Sequence, residues 1–224
     1  MPSPRVLITC ADQYMGPSIH KKFSTLGYEV IASTAVLSDE AAVQTLVDDT
    51  LTDGALDVVI ANLAEPPALS PVQDIANTDW QRLFAVMVDP LMYLVRAVTP
   101  SLLERKSGKI IAVTSAAPLR GIPNGSAYCA ARGAQNAFIK AVGMELARSN
   151  IQVNAIGQNY INNNTYFPDD ILNNPKFIDH IKRNVPTGQI GAAEETAELA
   201  AYLASENCKH MVGQVLPLAG GWVT

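Results

Sequence analysis

"VLITCADQYMG", Val6 to Gly16, holds a short β-branched and apolar run, Val6-Leu7-Ile8-Thr9, then a turn and the start of an amphipathic segment. A strand that turns at once into a helix is the opening unit of a parallel α/β sheet. In dinucleotide-binding units that turn is glycine-rich, so that the backbone can approach a pyrophosphate at the helix N-terminus. Here Cys10 and Tyr14 stand where small residues are expected, and only Gly16 remains. The stretch predicts the fold and argues against its usual ligand.

The same alternation continues along the chain. Apolar runs predict strands at Val6–Thr9, Glu29–Ala32, Leu56–Ala61, Lys109–Thr114, Gln152–Ile156 and Gln214–Pro217. Amphipathic segments between them predict helices at Pro17–Leu26, Glu40–Asp48, Trp80–Glu104, Ser126–Ala147 and Glu194–Ser205. Near-continuous apolar strands separated by helices indicate a parallel sheet buried on both faces. The expected architecture is a Rossmann-like, doubly wound α/β sheet flanked by helices on both faces. With no internal repeat or linker, one domain is expected to span 1–224.

Composition narrows the class. The 224 residues are 48% hydrophobic and 17% charged, a globular balance with material for a sizeable core. A net charge of −5 argues against nucleic acid, whose phosphates select basic patches. Cys10, Cys129 and Cys208 cannot all pair and do not have zinc spacing, which predicts no metal and a reduced, cytoplasmic compartment. His20, His180 and His210 likewise lack ligand spacing. The stretch "MPSPRVLITC" lacks a cationic region and apolar run for a leader, and no membrane span is expected.

One segment departs from the alternation. Residues 157–184, rich in Asn, Pro and Asp, begin where the fifth predicted strand ends. Loops beyond the carboxyl ends of strands form the ligand crevice of open α/β sheets, so this loop is expected to shape a site.

The chemistry is concentrated in "IIAVTSAAPLRGIPNGSAYCAARGAQNAF". Ser115 ends a predicted strand, placing its hydroxyl at the sheet's carboxyl edge. Thirteen residues later comes Tyr128, with Arg132 one helical turn beyond it. Positions i and i+4 share a helix face about 6 Å apart along the axis. An unperturbed tyrosine titrates near pH ~10, and bringing one to about 7 needs roughly 4 kcal/mol of preferential phenolate stabilisation. One cation about 4 Å away supplies that order of energy at an effective dielectric near 20. Arginine stays charged even when partly desolvated. Ser115 could then hold a substrate oxygen while Tyr128 takes its proton. Alone, Tyr-x-x-x-Arg is a weak pattern that also arises from core packing and helix decoration. Joined to a serine at a strand end, it is specific.

These residues resemble the short-chain dehydrogenase/reductase family from end to end. "DVVIAN" is similar to the strand before that family's Asn-Asn-Ala-Gly motif, and "GQIGAAEETAELAAYLASENCKHMVGQVLPLAGGW" is similar to its C-terminal region. The departures fall on the cofactor. Gly-x-x-x-Gly-x-Gly becomes Cys10-x-x-x-Tyr14-x-Gly16, and Asn-Asn-Ala-Gly becomes Ala61-Asn62-Leu63-Ala64. Ser33 and Thr34 stand where a ribose-binding acid or a phosphate-binding base is expected. The family's asparagine is Met87, its lysine is Arg132, and its Pro-Gly is Gln158-Asn159. This pattern resembles the halohydrin dehalogenases, which use Ser-Tyr-Arg and no nicotinamide.

That resemblance implies cofactor-independent closure of vicinal halohydrins to epoxides, with the reverse opening by halide, azide, cyanide or nitrite. It implies Ser115, Tyr128 and Arg132 as the catalytic residues. "AIGQNYINNNTYFPDD" resembles the subfamily's halide loop, implying an anion site at Gln158, Asn159, Tyr160 and Ile161, built largely from backbone N–H groups. Gln158 departs from an expected proline. Tyr14, Pro67, Ile122 and Phe167 are candidates for the substrate wall, with ordinary packing as the alternative for each. Tyr14 is expected to fill cofactor space, and Gly16 to serve strand–helix packing. The expected ligands are a small halohydrin or epoxide and an anion, with no cofactor. The family's helix–helix contacts imply a homotetramer that covers the apolar stretches around Trp80–Leu103 and Ala127–Leu146. Two alternatives stand beside this reading: a divergent NAD(P)-dependent short-chain oxidoreductase, and a catalytically silent, ligand-sensing relative.

Overall fold

The computed structural model describes residues 3–223. Met1 and Pro2, at the head of the stretch read for a leader, lie outside the described residues, as does Thr224. Six parallel strands form one sheet: β1 (Arg5–Ile8), β2 (Glu29–Ala32), β3 (Val58–Ala61), β4 (Gly108–Ser115), β5 (Ile151–Gln158) and β6 (Val215–Leu218). Their order is β2-β1-β3-β4-β5-β6. The chain winds outward from β1 to β2, then crosses back to β3, so β1 and β3 meet at the switch point where such sheets open a crevice. The single Rossmann-like sheet, with helices on both faces, is the architecture expected from the sequence.

The helices are α1 (Gly16–Thr25), α2 (Glu40–Thr52), α3 (Asn77–Met87), α4 (Asp89–Arg105), α5 (Ala117–Arg120), α6 (Ser126–Leu146), α7 (Asp169–Leu172), α8 (Pro175–Asn184) and α9 (Ala193–Ala204). Alternate residues of each strand bury opposite faces. Leu7, Val59 and Ile110 join α2, α4 and α6 in one core, through Val43, Leu94 and Ile139. Val6, Ile60 and Ile111 face α1 and α9, meeting Ile19, Phe23 and Ala200. Each such fully buried aliphatic side chain contributes about 2 kcal/mol of transfer free energy. The central strands are dry on both faces, and their carboxyl ends are therefore rigid mounts.

Two expectations need correction. The helix read as Trp80–Glu104 is two helices, broken at Val88 (φ −92°, ψ −53°). Pro90 has no N–H to continue the hydrogen-bond ladder and sits in the first turn of α4, where that loss is harmless. The 29 residues from Asn77 to Arg105 are long and apolar enough by composition to cross a membrane, which the sequence reading did not expect. In the fold α4 contributes Leu91, Leu94 and Val98 to the core, and α3 packs Leu83 and Met87 near Tyr128.

The 157–184 segment is also more ordered than a loop. It carries α7 and α8, and Asn174 caps α8 by accepting from the Lys176 N–H at 2.9 Å. Asn174→Ala is expected to cost about 1 kcal/mol, lowering Tm by roughly 2–4 °C in a thermal melt.

Candidate active site

The turn after β1 keeps a glycine-type path without glycines. Cys10 (φ 45°) and Tyr14 (φ 50°) are both left-handed. Asn62, fully buried at the end of β3, braces this turn by donating to the Cys10 and Gln13 carbonyls at 2.9 and 3.0 Å. Gly16 packs so tightly that a Cβ there would lie 2.5 Å from the Cys10 carbonyl oxygen. This supplies the close strand–helix approach expected of the third glycine.

Ser115 is the last residue of β4, and it lies beside Gln158, the last of β5, in parallel register. Asn136 of α6 holds the Ser115 carbonyl at 3.1 Å. The Ser115 Oγ accepts from the Ala117 N–H at 3.0 Å, leaving its own proton for another acceptor. Tyr128 lies in the first turn of α6, and Arg132 one turn on. All three are buried and line one cavity of about 440 Å³.

Arg132 is bonded at every nitrogen. Its Nε donates to the Tyr128 hydroxyl at 3.1 Å. Nη1 donates to the Leu63 carbonyl at 3.0 Å and to Gln135 Oε1 at 2.9 Å, while Nη2 donates to the Tyr166 hydroxyl at 3.2 Å. Among the described residues no carboxylate lies within ion-pair distance of Arg132. Burial pulls the guanidinium down, but charge coupling and hydrogen bonding with Tyr128 and Tyr166 outweigh it and leave its pKa raised. A buried cation without a counter-ion costs on the order of several kcal/mol. A phenolate on Tyr128 would relieve that cost.

Pro67, Ile122 and Phe167 line the cavity, together with Pro66, Leu69 and Ile171. Gln158, Asn159, Tyr160 and Ile161 form another wall. Within that wall one expectation needs correction. The Asn159 amide donates to the Leu218 carbonyl of β6 at 3.0 Å, so it is spent on the sheet. The Tyr160 and Ile161 amides have no protein partner among the described residues, and Tyr160 is left-handed at φ 52°. The Gln158 side chain turns away to accept from the buried Thr196 hydroxyl at 3.0 Å.

Tyr14 is the second correction: it does not line the cavity. Its ring stands edge-on behind Tyr166, with centroids 5.8 Å apart. Burial raises the Tyr14 pKa. Tyr166 is the residue the sequence reading missed. Its hydroxyl donates to the Glu65 carbonyl at 2.6 Å and lies 3.5 Å from the Tyr128 hydroxyl. Its only sequence signal is an aromatic pair, Tyr166-Phe167, ahead of Pro168 in the 157–184 segment.

A nicotinamide cofactor is implied by this fold, and the residues present do not fit one. The pyrophosphate turn carries Cys10 and Tyr14 side chains. Tyr14 of that turn packs its ring edge-on against Tyr166, whose hydroxyl lies 3.5 Å from that of Tyr128. Ser33, where a ribose-binding acid is expected, is buried and accepts from the Ala35 N–H.

Residues 5–223 match the family described as enoyl-(acyl carrier protein) reductase, and the chain belongs to the short-chain dehydrogenase/reductase superfamily. A curated relative is the 2-dehydro-3-deoxy-L-rhamnonate dehydrogenase (NAD(+)) of Sphingomonas sp. (strain SKA58). It is 30% identical over 191 residues, 84% of this chain and 74% of that protein. A bovine dehydrogenase/reductase SDR family member 4 is 29% identical over 168 residues, 75% of this chain and 60% of that protein. A solved structure described as a dehalogenation enzyme is 30% identical, covers 98% of both chains and superposes with a TM-score of 0.92. A halohydrin dehalogenase bound to ethyl (2S)-oxiran-2-ylacetate covers 98% of this chain and 97% of its own, at 24% identity and a TM-score of 0.88, which speaks to the fold alone.

Proposed function

We propose that this enzyme closes vicinal halohydrins to epoxides without a cofactor, and opens epoxides with halide or a small pseudohalide anion. The observation that carries the reading is the buried, carboxylate-free Arg132 bonded to Tyr128 inside a ligand-sized cavity. Its similarity to the structure described as a dehalogenation enzyme supports it further.

In the proposed reaction Ser115 keeps its proton and donates a hydrogen bond to the substrate hydroxyl oxygen, which orients it. Tyr128, as a phenolate stabilised by Arg132, takes the hydroxyl proton. The alkoxide attacks the neighbouring carbon from behind, forming the C–O bond as the carbon–halogen bond breaks and halide departs with the electron pair. Tyr128 then returns the proton to solvent, so the products are epoxide, halide and a proton. The Tyr160 and Ile161 amides, unpaired beside the cavity, are the proposed receptors for the leaving anion. Pro67, Ile122 and Phe167 would enclose the carbon skeleton. No redox step is needed, which agrees with the poor fit of a nicotinamide.

A homotetramer and a cytoplasmic location are part of the proposal, and Trp80, Val86 and Met144 on α3 and α6 are exposed apolar residues that subunit contacts would cover. A second reading, an NAD(P)-dependent oxidoreductase, is favoured by the dehydrogenase named among the curated relatives. Fluorescence titration with NADH and NADPH separates the two. The proposal expects no saturable binding at micromolar nucleotide, and micromolar binding of either would count against it.

A further inference from the structure

We propose that Tyr166 is a positioning residue that holds the Arg132 guanidinium on Tyr128. The inference rests on the dehalogenase reading for its kinetic consequence but not for its geometry. Tyr166 has one hydroxyl proton, and the Glu65 carbonyl takes it at 2.6 Å. Toward Arg132 and Tyr128 it therefore presents lone pairs, and it accepts from Nη2 at 3.2 Å. Leu63 and Gln135 hold Nη1, so Tyr166 is the second anchor that fixes the plane of the fork. Only in that plane does Nε point at the Tyr128 hydroxyl.

Two tyrosines thus flank one guanidinium and differ in what their protons do. Tyr166 spends its proton on a backbone carbonyl, and burial pushes its pKa well up. Tyr128 has no such carbonyl acceptor among the described residues, and its hydroxyl lies 3.5 Å from the Tyr166 hydroxyl. The same residue also joins the base to the anion wall. The Tyr166 N–H donates to Asn163 Oδ1 at 2.9 Å, and Asn163 Nδ2 donates to the Ile161 carbonyl at 3.0 Å. Ile161 is so linked to Arg132 through Asn163 and Tyr166 by three hydrogen bonds.

Tyr166→Phe tests this, because it keeps the ring against Tyr14 and Phe167 and removes only the hydroxyl. The partly exposed Glu65 carbonyl can turn to water. In the wild-type protein, halide release from a dihalopropanol gives reference kcat and KM values. For Tyr166→Phe a kcat at least about tenfold lower is expected, with KM within about threefold, since the loss falls on the transition state rather than on binding. A crystal structure of the same variant is expected to show Arg132 Nε displaced from the Tyr128 hydroxyl. Wild-type kcat in the variant, with Arg132 unmoved, would overturn the inference while leaving dehalogenation standing. If the wild-type protein releases no halide, the functional reading falls separately, and the crystal structure alone decides. Arg132 still bonded to Tyr128 would then overturn the positioning role, and a displaced Arg132 would uphold it.

Discussion

Tyr128→Phe is expected to reduce halide release by about 10³-fold in kcat, with KM changed by no more than a few-fold. General-base catalysis is worth about 10²–10⁴-fold, and the neighbouring Tyr166 hydroxyl has its proton committed to the Glu65 carbonyl. Arg132 donates to the Tyr128 hydroxyl from within a cavity wall and, among the described residues, has no carboxylate at ion-pair distance to share its charge. Removing the hydroxyl leaves Arg132 Nε without its acceptor. The substitution deletes one oxygen from a buried ring, so the fold is expected to survive, and an unchanged thermal melt would confirm that. Retention of more than a tenth of wild-type kcat in a folded variant would contradict the assignment of Tyr128 as the base.

Gly16→Ala is the largest expected loss of stability. Its Cβ would meet the Cys10 carbonyl oxygen at 2.5 Å and the Ala11 carbonyl carbon and oxygen at 2.6 Å. These are backbone atoms of the turn that Asn62 already braces, so they cannot give way without moving the β1–α1 junction. Overpacking of this kind costs about 3 kcal/mol, which for a chain of this length lowers Tm by roughly 6–12 °C. Gly133→Ala is the matched control inside α6. Its Cβ would meet only Pro118 Cβ at 3.4 Å, an ordinary contact. There the lower unfolded-state entropy is expected to stabilise by about 0.5 kcal/mol. Equal melting temperatures for the two variants would contradict the packing role of Gly16.

The alternation of apolar strands and amphipathic helices was legible because burial on both sheet faces imposes it directly on composition. Ser115, Tyr128 and Arg132 could be singled out for a related reason. A strand end and one helical turn are local geometries, and the structure brings the three to one cavity. What escaped depends on contacts that no local pattern encodes. The break at Val88 lies inside a continuous apolar periodicity, and its one local sign is Pro90. Asn159 loses its amide to Leu218, a residue just beyond the strand predicted at Gln214–Pro217. Tyr14 looked like a cavity wall because it replaces a glycine, yet its left-handed backbone aims the ring at Tyr166 instead. Tyr166 itself was one aromatic among several in a polar segment. Its role emerges only when the segment folds over Glu65 and Arg132.

The turn that opens the chain has thus kept its backbone path while its side chains changed what can lie over it. The proposed cofactor-independent chemistry is open to direct measurement. The purified protein, freed of nucleotide, is given a dihalopropanol with its hydroxyl on the central carbon, and halide and epoxide are followed together. The account predicts equal amounts of halide and epoxide, at a rate unchanged by added NAD(P)+. No halide without nucleotide, with ketone and reduced nucleotide forming once NAD(P)+ is supplied, would contradict it.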